Sequence, residues 1–252
     1  MTTPTIELIQ QHGSVRNYKP DPVPESIIEQ IVAAGQRAST SSNLQTYSVI
    51  VTSDLKKKQR IQEICADQKH ISQAPVFLLW CADFSRLQRV CDHQGYSIEA
   101  SHIENFIVAS VDAALAMQNA ALAAESLGLG FCYIGALRND PDTIIDIFGL
   151  PELVFPIAGM TLGWAEKPPQ IRPRLPLNAV LHWELYDQDD TKYLEEYDQV
   201  MINTGIYQGR QVDQQDQDLA QYGWLEHSAR RSSKPSRPHL RKSILQSGFL
   251  LK

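Results

Sequence analysis

Residues 104–134 read ENFIVASVDAALAMQNAALAAESLGLGFCYI, a long apolar run followed by a glycine pair and a short aromatic stretch. Residues 104–127 predict one dominant helix. Between positions 109 and 124 it is apolar nearly all round, with small residues on several faces, so it must be buried on more than one side. Small faces allow helices to approach closely, either at the centre of a monomer or in the core of a dimer, and the pattern leaves both open. Asp112 and Glu125 interrupt the run, which argues against a membrane span. Gly128 or Gly130 ends the helix, and residues 131–134 resume as a strand.

Outward from this helix the chain alternates. Residues 47–52 (YSVIVT) and 154–164 (VFPIAGMTLGW) predict strands, and residues 76–82 (VFLLWCA) form an apolar run too short for a helix, hence a buried central strand. Helices are predicted over 5–11 after Pro4, over 25–38 with Ile27, Ile28, Ile31 and Val32 on one stripe, over 55–66, and from Pro141 to Phe148. Beyond Pro176 the composition shifts: acidic over 187–198, glutamine-rich over 208–221, then basic in HSARRSSKPSRPHLRK at 227–242. This predicts a core over residues 1–185 and a C-terminal excursion with a basic tail over 186–252, the 227–242 run being a solvated, poorly ordered arm.

Composition sets limits on function. With 252 residues, 43% of them apolar and 21% charged, the chain is globular rather than disordered. A formal net charge of −6 argues against a protein that coats nucleic acid, because that affinity comes from Lys and Arg on phosphates. Residues 1–20 hold no basic-then-apolar leader, so neither a signal peptide nor a membrane anchor is expected. Cys65, Cys81, Cys91 and Cys132 form no CxxC pair, which suits a reducing compartment and a cytoplasmic protein.

Several familiar chemistries are missing. There is no GxGxxG after a strand, no Walker loop, no HExxH and no GxSxG. The histidines never fall at i, i+3 or i, i+4, so no metal site is expected. What stands out instead is His12-Gly13-Ser14-Val15-Arg16. In an extended backbone the side chains at i, i+2 and i+4 share a face, so an imidazole, a hydroxyl and a guanidinium can meet one group. Pro173 disfavours helix at Arg172, so Arg172 and Arg174 share a face too. Three arginines so arranged in an acidic protein point to a bound phosphate, whose oxygens match guanidinium forks. Two uncharged or mixed clusters could read a polar ring or a polyol: Ser39-Thr40-Ser41-Ser42-Asn43 with Gln45, and Gln68-Lys69-His70. Each is equally at home as a cap and turn.

Five stretches, TIELIQQHGSVRNY, RASTSSNLQTYSVI, ADQKHISQAPVFLLWCADFSR, VDAALAMQNAALAAESLGLGFCYIGALRN and LGWAEKPPQIRPRLP, follow one another in order. Together, over about residues 3–200, they resemble the flavin reductase and nitroreductase family. Within it they are most similar to the larger oxygen-insensitive NADPH nitroreductases and NADPH-flavin oxidoreductases. The resemblance implies an α+β sandwich, with a mixed, mainly antiparallel sheet flanked by helices, built as an intertwined homodimer with FMN at the interface. On that reading the long helix is dimer core. The resemblance places His12, Gly13, Ser14, Arg16, Arg172 and Arg174 at the FMN phosphate and ribityl chain. It places Thr40, Ser41 and Ser42 beside the flavin, Gln68, Lys69 and His70 at its ring, and Tyr133, Ile134, Gly135 and Ala136 along the isoalloxazine.

The implied activity is that of an NAD(P)H-dependent FMN oxidoreductase. It takes hydride at flavin N5 and passes electrons by ping-pong exchange to small-molecule acceptors: nitroaromatics, quinones or free flavin. The protein itself needs no acid–base pair. The alternatives are a same-fold enzyme of dehalogenation or flavin breakdown, and a non-catalytic phosphate or nucleic-acid binding module. Arg172 stands where many relatives have lysine. NADPH-using relatives carry an arginine-bearing loop after the position of Asp198. Arg210 is the nearest counterpart in this chain, which leaves NADPH against NADH open and makes Arg230, Arg231 and Arg237 candidate substitutes.

Overall fold

The computed structural model describes residues 2–208 and 221–252. These form two compact units, one of residues up to Gln170 together with His239–Lys252, the other Ile171–Pro238.

The first unit is a four-stranded sheet in the order β1 (Tyr47–Thr52), β2 (Val76–Asp83), β4 (Val154–Trp164), β3 (Leu129–Ile134). All three pairings are antiparallel, with Val76 opposite Leu162 and Phe131 also opposite Leu162. Every residue of β2 is buried, because alternate side chains enter two different cores. Val76, Leu78 and Trp80 pack with Met160 and Leu162 against the long helix α6 (Ile103–Ser126) and Ile31 of α2 (Glu25–Gly35). Phe77, Leu79 and Cys81 face Ile61 of α3 (Leu55–Ile64), Ile71 of α4 (His70–Gln73) and Ile144 of α7 (Pro141–Phe148). The layers are thus helix, sheet, helix, as the α+β reading requires. The short α1 (Pro4–Gln10) opens on a Thr3 cap, whose hydroxyl accepts from the Ile6 amide at 3.3 Å.

α6 buries Ala109, Asp112, Ala113, Ala116, Met117, Ala120, Ala121 and Ala124 along one broad face. Small residues let α2 come close: a Cβ on Gly35 would sit 2.9 Å from the Ala116 carbonyl oxygen. The other side is also apolar but uncovered. Ile103, Ile107, Val111 and Leu115 recur every fourth residue and are 44–51% exposed. The helix has the length and hydropathy of a membrane span, yet its small-residue face is built into a soluble core.

The basic run is largely exposed from residue 231 to 242, as expected of a solvated segment, but it is not an irregular arm. α9 (Trp224–Ser232) and α10 (Leu240–Gln246) are helical through most of the basic run. Past α10, Phe249 is fully buried edge-on to Phe84 and Phe106. The last residue bonds back to the start of α6, with the Lys252 amide on the Ser101 oxygen at 2.8 Å. The apolar residues beyond position 242, not the charges before it, decide the fate of this segment. α5 (Ser85–Gln94) also went unpredicted, its pattern being mainly polar.

In the second unit α8 (Thr191–Thr204) meets α9. Tyr197 lies edge-on to Trp224 at 5.5 Å, and the Asp198 carboxylate accepts from the Leu225 amide at 2.7 Å. The glutamine-rich stretch falls mostly, and Arg210 wholly, outside the described residues.

Candidate functional site

The 12–16 segment runs in extended form beside β3, fastened by the Val15 amide on the Phe131 oxygen at 2.8 Å. Gly13 and Val15 are buried, His12 and Ser14 are half-buried and Arg16 is exposed, so the predicted alternation is the one observed. The approach to β3 requires glycine at 130, where a Cβ would fall 2.3 Å from the Val15 side chain. Tyr18 anchors the far end, its hydroxyl 2.7 Å from the Val15 oxygen and 2.8 Å from Thr161 Oγ1, and burial pushes its pKa up. The His12 ring stacks on Phe131 at 5.1 Å, with Nδ1 2.6 Å from Glu125 Oε1 on α6.

His70 lies buried at the start of α4, and among the described residues its Nε2 has no hydrogen-bond partner. Its pKa falls to about 4, first through burial and then through the charge of Arg16. Arg16 thus lies near enough to His70 for its charge to act on the ring. The turn after α4 is held by Lys58, which donates to the Ala74 oxygen at 2.5 Å and is itself shifted down by burial. Gln68 donates to the Cys65 oxygen at 2.8 Å, and Lys69 is exposed. At the end of β3, the Tyr133 hydroxyl lies 3.0 Å from Gln118 Oε1, and burial raises its pKa. Ile134 is buried, while Gly135 and Ala136 are half-buried in the turn that follows.

Thr40, Ser41 and Ser42 stand apart from this group. They open the loop to β1, where Ser42, Asn43 and Gln45 adopt positive φ of 48°, 56° and 55°. Asp112 of α6 holds the loop, accepting from the amides of Ser41 at 3.0 Å and Thr46 at 3.1 Å and from the Thr46 hydroxyl at 2.8 Å. Asp112 and Glu125 are separated by about 20 Å along the helix axis. The structure thus gathers His12, Ser14 and Arg16 with His70 and β3, and leaves the 40–42 loop toward the other end of α6. Arg172 and Arg174 belong to the second unit, in irregular backbone, half-buried and exposed respectively. Between them the Pro173 oxygen accepts from the Tyr197 hydroxyl at 3.2 Å. Arg230 is engaged by Glu226 at 3.9 Å and lies over the Tyr222 ring.

Sequence reasoning missed the roles of Asp112 and Glu125. The signal was present: a carboxylate in an otherwise apolar, buried helix needs a partner. Among the described residues no His, Cys, Asp and Glu side chains gather as metal ligands.

An antiparallel sheet between two helical layers, with an extended basic segment laid beside an edge strand, defines the class, and the chain belongs to the nitroreductase family. Residues 9–164 match the nitroreductase family and residues 172–252 its C-terminal domain. Among particular proteins, it is 34% identical to the oxygen-insensitive NADPH nitroreductase of Salmonella typhimurium, covering 98% of each chain. It is 36% identical to an FMN reductase [NAD(P)H] of Bacillus subtilis, covering 97% of each. The solved NADPH:FMN oxidoreductase of Vibrio harveyi, complexed with NAD+, superposes with a TM-score of 0.87 at 30% identity, over 99% of this chain and 100% of that one.

Proposed function

We propose that this chain is an FMN-dependent oxidoreductase that transfers hydride from NAD(P)H to small-molecule acceptors, namely nitroaromatics, quinones or free flavin. The relatives named nitroreductase and FMN reductase support this activity at full length. The observation that carries the reading is the polar face of His12, Ser14 and Arg16 near His70, whose buried Nε2 has no hydrogen-bond partner among the described residues. An orphaned buried nitrogen is a cost that a ligand hydrogen bond would offset. The donor set fits FMN: guanidinium, hydroxyl and imidazole for its phosphate and ribityl chain, and backbone at Gly135 and Ala136 for its ring.

When bound, FMN supplies the redox chemistry, taking hydride at N5 and yielding electrons to the acceptor in alternate half-reactions at one site. The chain's own residues bind and orient. His12, Ser14 and Arg16, with Arg172 and Arg174, take the phosphate and ribityl oxygens. Gln68, Lys69 and His70 border the ring, along with residues 133–136. Thr40, Ser41 and Ser42 belong to the same site when a partner protomer supplies them, which is consistent with their distance from His12 along α6. The uncovered stripe of Ile103, Ile107, Val111 and Leu115 supports a homodimer packed through this helix. No disulfide joins the four cysteines, in keeping with a soluble cytoplasmic enzyme.

The test is the visible spectrum of the purified protein reconstituted with FMN. A retained flavin band that anaerobic NADPH or NADH bleaches, and that a nitroaromatic or quinone restores, is the expected result. A protein that holds no FMN would refute the reading.

A further inference from the structure

We infer that Glu125 is a positioning residue for phosphate capture, acting through His12. The inference rests on the FMN reading above and assigns a role to a side chain outside the contact set.

The Glu125 carboxylate comes from α6 and is 88% buried at its side chain, given a relative exposure of 12%. One oxygen meets His12 Nδ1 at 2.6 Å; the other, Oε2, is buried with no partner among the described residues. Among the described residues His12 is thus the sole hydrogen-bond partner of this buried carboxylate. An imidazole presents two different nitrogens, and the partner of one decides what the other offers. With a carboxylate acceptor at Nδ1 the ring donates there and turns Nε2 away from α6; in the imidazolium form Nε2 carries a proton as well and donates to a phosphate oxygen. Among the described residues nothing hydrogen-bonds Nε2. The stack on Phe131 fixes the ring plane, with an interplanar angle of 26°. Two constraints on one half-buried ring, 113 residues from its anchor in sequence, exceed what a surface histidine needs. Ser14 and Arg16 lie on the same face of the segment, so Nε2 joins the group that meets the phosphate.

Comparing FMN with riboflavin, which lacks only the phosphate, isolates the effect. Both are titrated by quenching of flavin fluorescence. Glu125→Ala is expected to weaken FMN about tenfold and leave riboflavin unchanged, and His12→Ala to do the same. The double variant should be no weaker than either single one, because both remove one unit. Glu125→Gln, which keeps an acceptor of equal reach, should restore FMN to within about threefold of wild type. The inference is overturned if Glu125→Ala leaves FMN affinity intact, weakens both ligands equally as a general packing defect would, or adds to His12→Ala. A glutamine variant as weak as the alanine one overturns it as well. Wild type that binds FMN, with Arg16→Ala weakening it while Glu125→Ala does not, defeats only this inference. Wild type that binds no FMN removes the underlying reading and the inference together.

Discussion

Asp112 takes both donors of Thr46, the amide at 3.1 Å and the hydroxyl at 2.8 Å, with the carboxylate 1% exposed. Its second oxygen holds the Ser41 amide at 3.0 Å, so one side chain of α6 ties down the entire left-handed loop between them. A buried carboxylate that accepts three hydrogen bonds tolerates desolvation; the two buried donors of Thr46 without it do not.

Asp112→Ala should therefore cost about 3 kcal/mol of unfolding free energy, read from urea midpoints at constant m-value. Limited proteolysis should then cut first within residues 40–46, the backbone that loses its anchor. Unchanged stability would mean that the strained loop is held by something other than Asp112.

His70 sets a pH dependence with a definite sign. Its folded pKa of about 4 lies below the ordinary 6.5, so the unfolded chain takes up a proton first as pH falls. The stability tied to neutral His70 is fully present above pH 6.5 and is lost as pH drops toward 4. His70→Gln should flatten that slope. Comparing wild type and variant in urea at pH 7 and pH 4.5 checks it.

Much of this architecture was legible in the sequence, for reasons that differ by element. β1, β2, β4 and α6 were placed to within a residue or so, because their apolar runs match the buried faces they occupy. The shared face of His12, Ser14 and Arg16 was legible because period two is a local property of extended chain. The links to Glu125 and Asp112 were not, since 113 and 66 residues separate His12 and Thr46 from their anchors and no local pattern encodes such pairing. The tail is legible only in part: the exposure of residues 231–242 follows from their charges, while the anchoring of the residues beyond them does not. Its basic run is local and conspicuous, whereas the value of Phe249 depends on Phe84 and Phe106 being at hand.

Phe249 also makes the tail structural. Truncation after Ser247 removes a fully buried aromatic together with the Lys252 bonds to the α6 approach, and should cost about 3–5 kcal/mol. A fall in melting temperature of about 6 °C or more, by differential scanning calorimetry, is the expected result. Loss of activity on removing the whole tail would then report unfolding before it reported nucleotide recognition. Arg231→Ala, at an exposed position, is the cleaner probe of a role in NADPH choice.

The α6 stripe gives the last test. Val111 is 49% exposed amid Ile107 and Leu115, and a dimer packed through this helix would bury all three on both protomers. Val111→Glu places one carboxylate per protomer in that contact. Because Val111 faces away from the small-residue side of α6, the monomer fold should keep its stability, within about 0.5 kcal/mol. Association should weaken at least a hundredfold, since a desolvated, unpaired charge costs several kcal/mol. Analytical ultracentrifugation should show wild type as a dimer at micromolar concentration and the variant as a monomer with unchanged circular dichroism. If the site needs the partner's 40–42 loop, the monomer should also lose FMN, and raising protein concentration should restore dimer and flavin together. A Val111→Glu protein that remains a dimer would move the interface off this helix and leave the stripe without a partner.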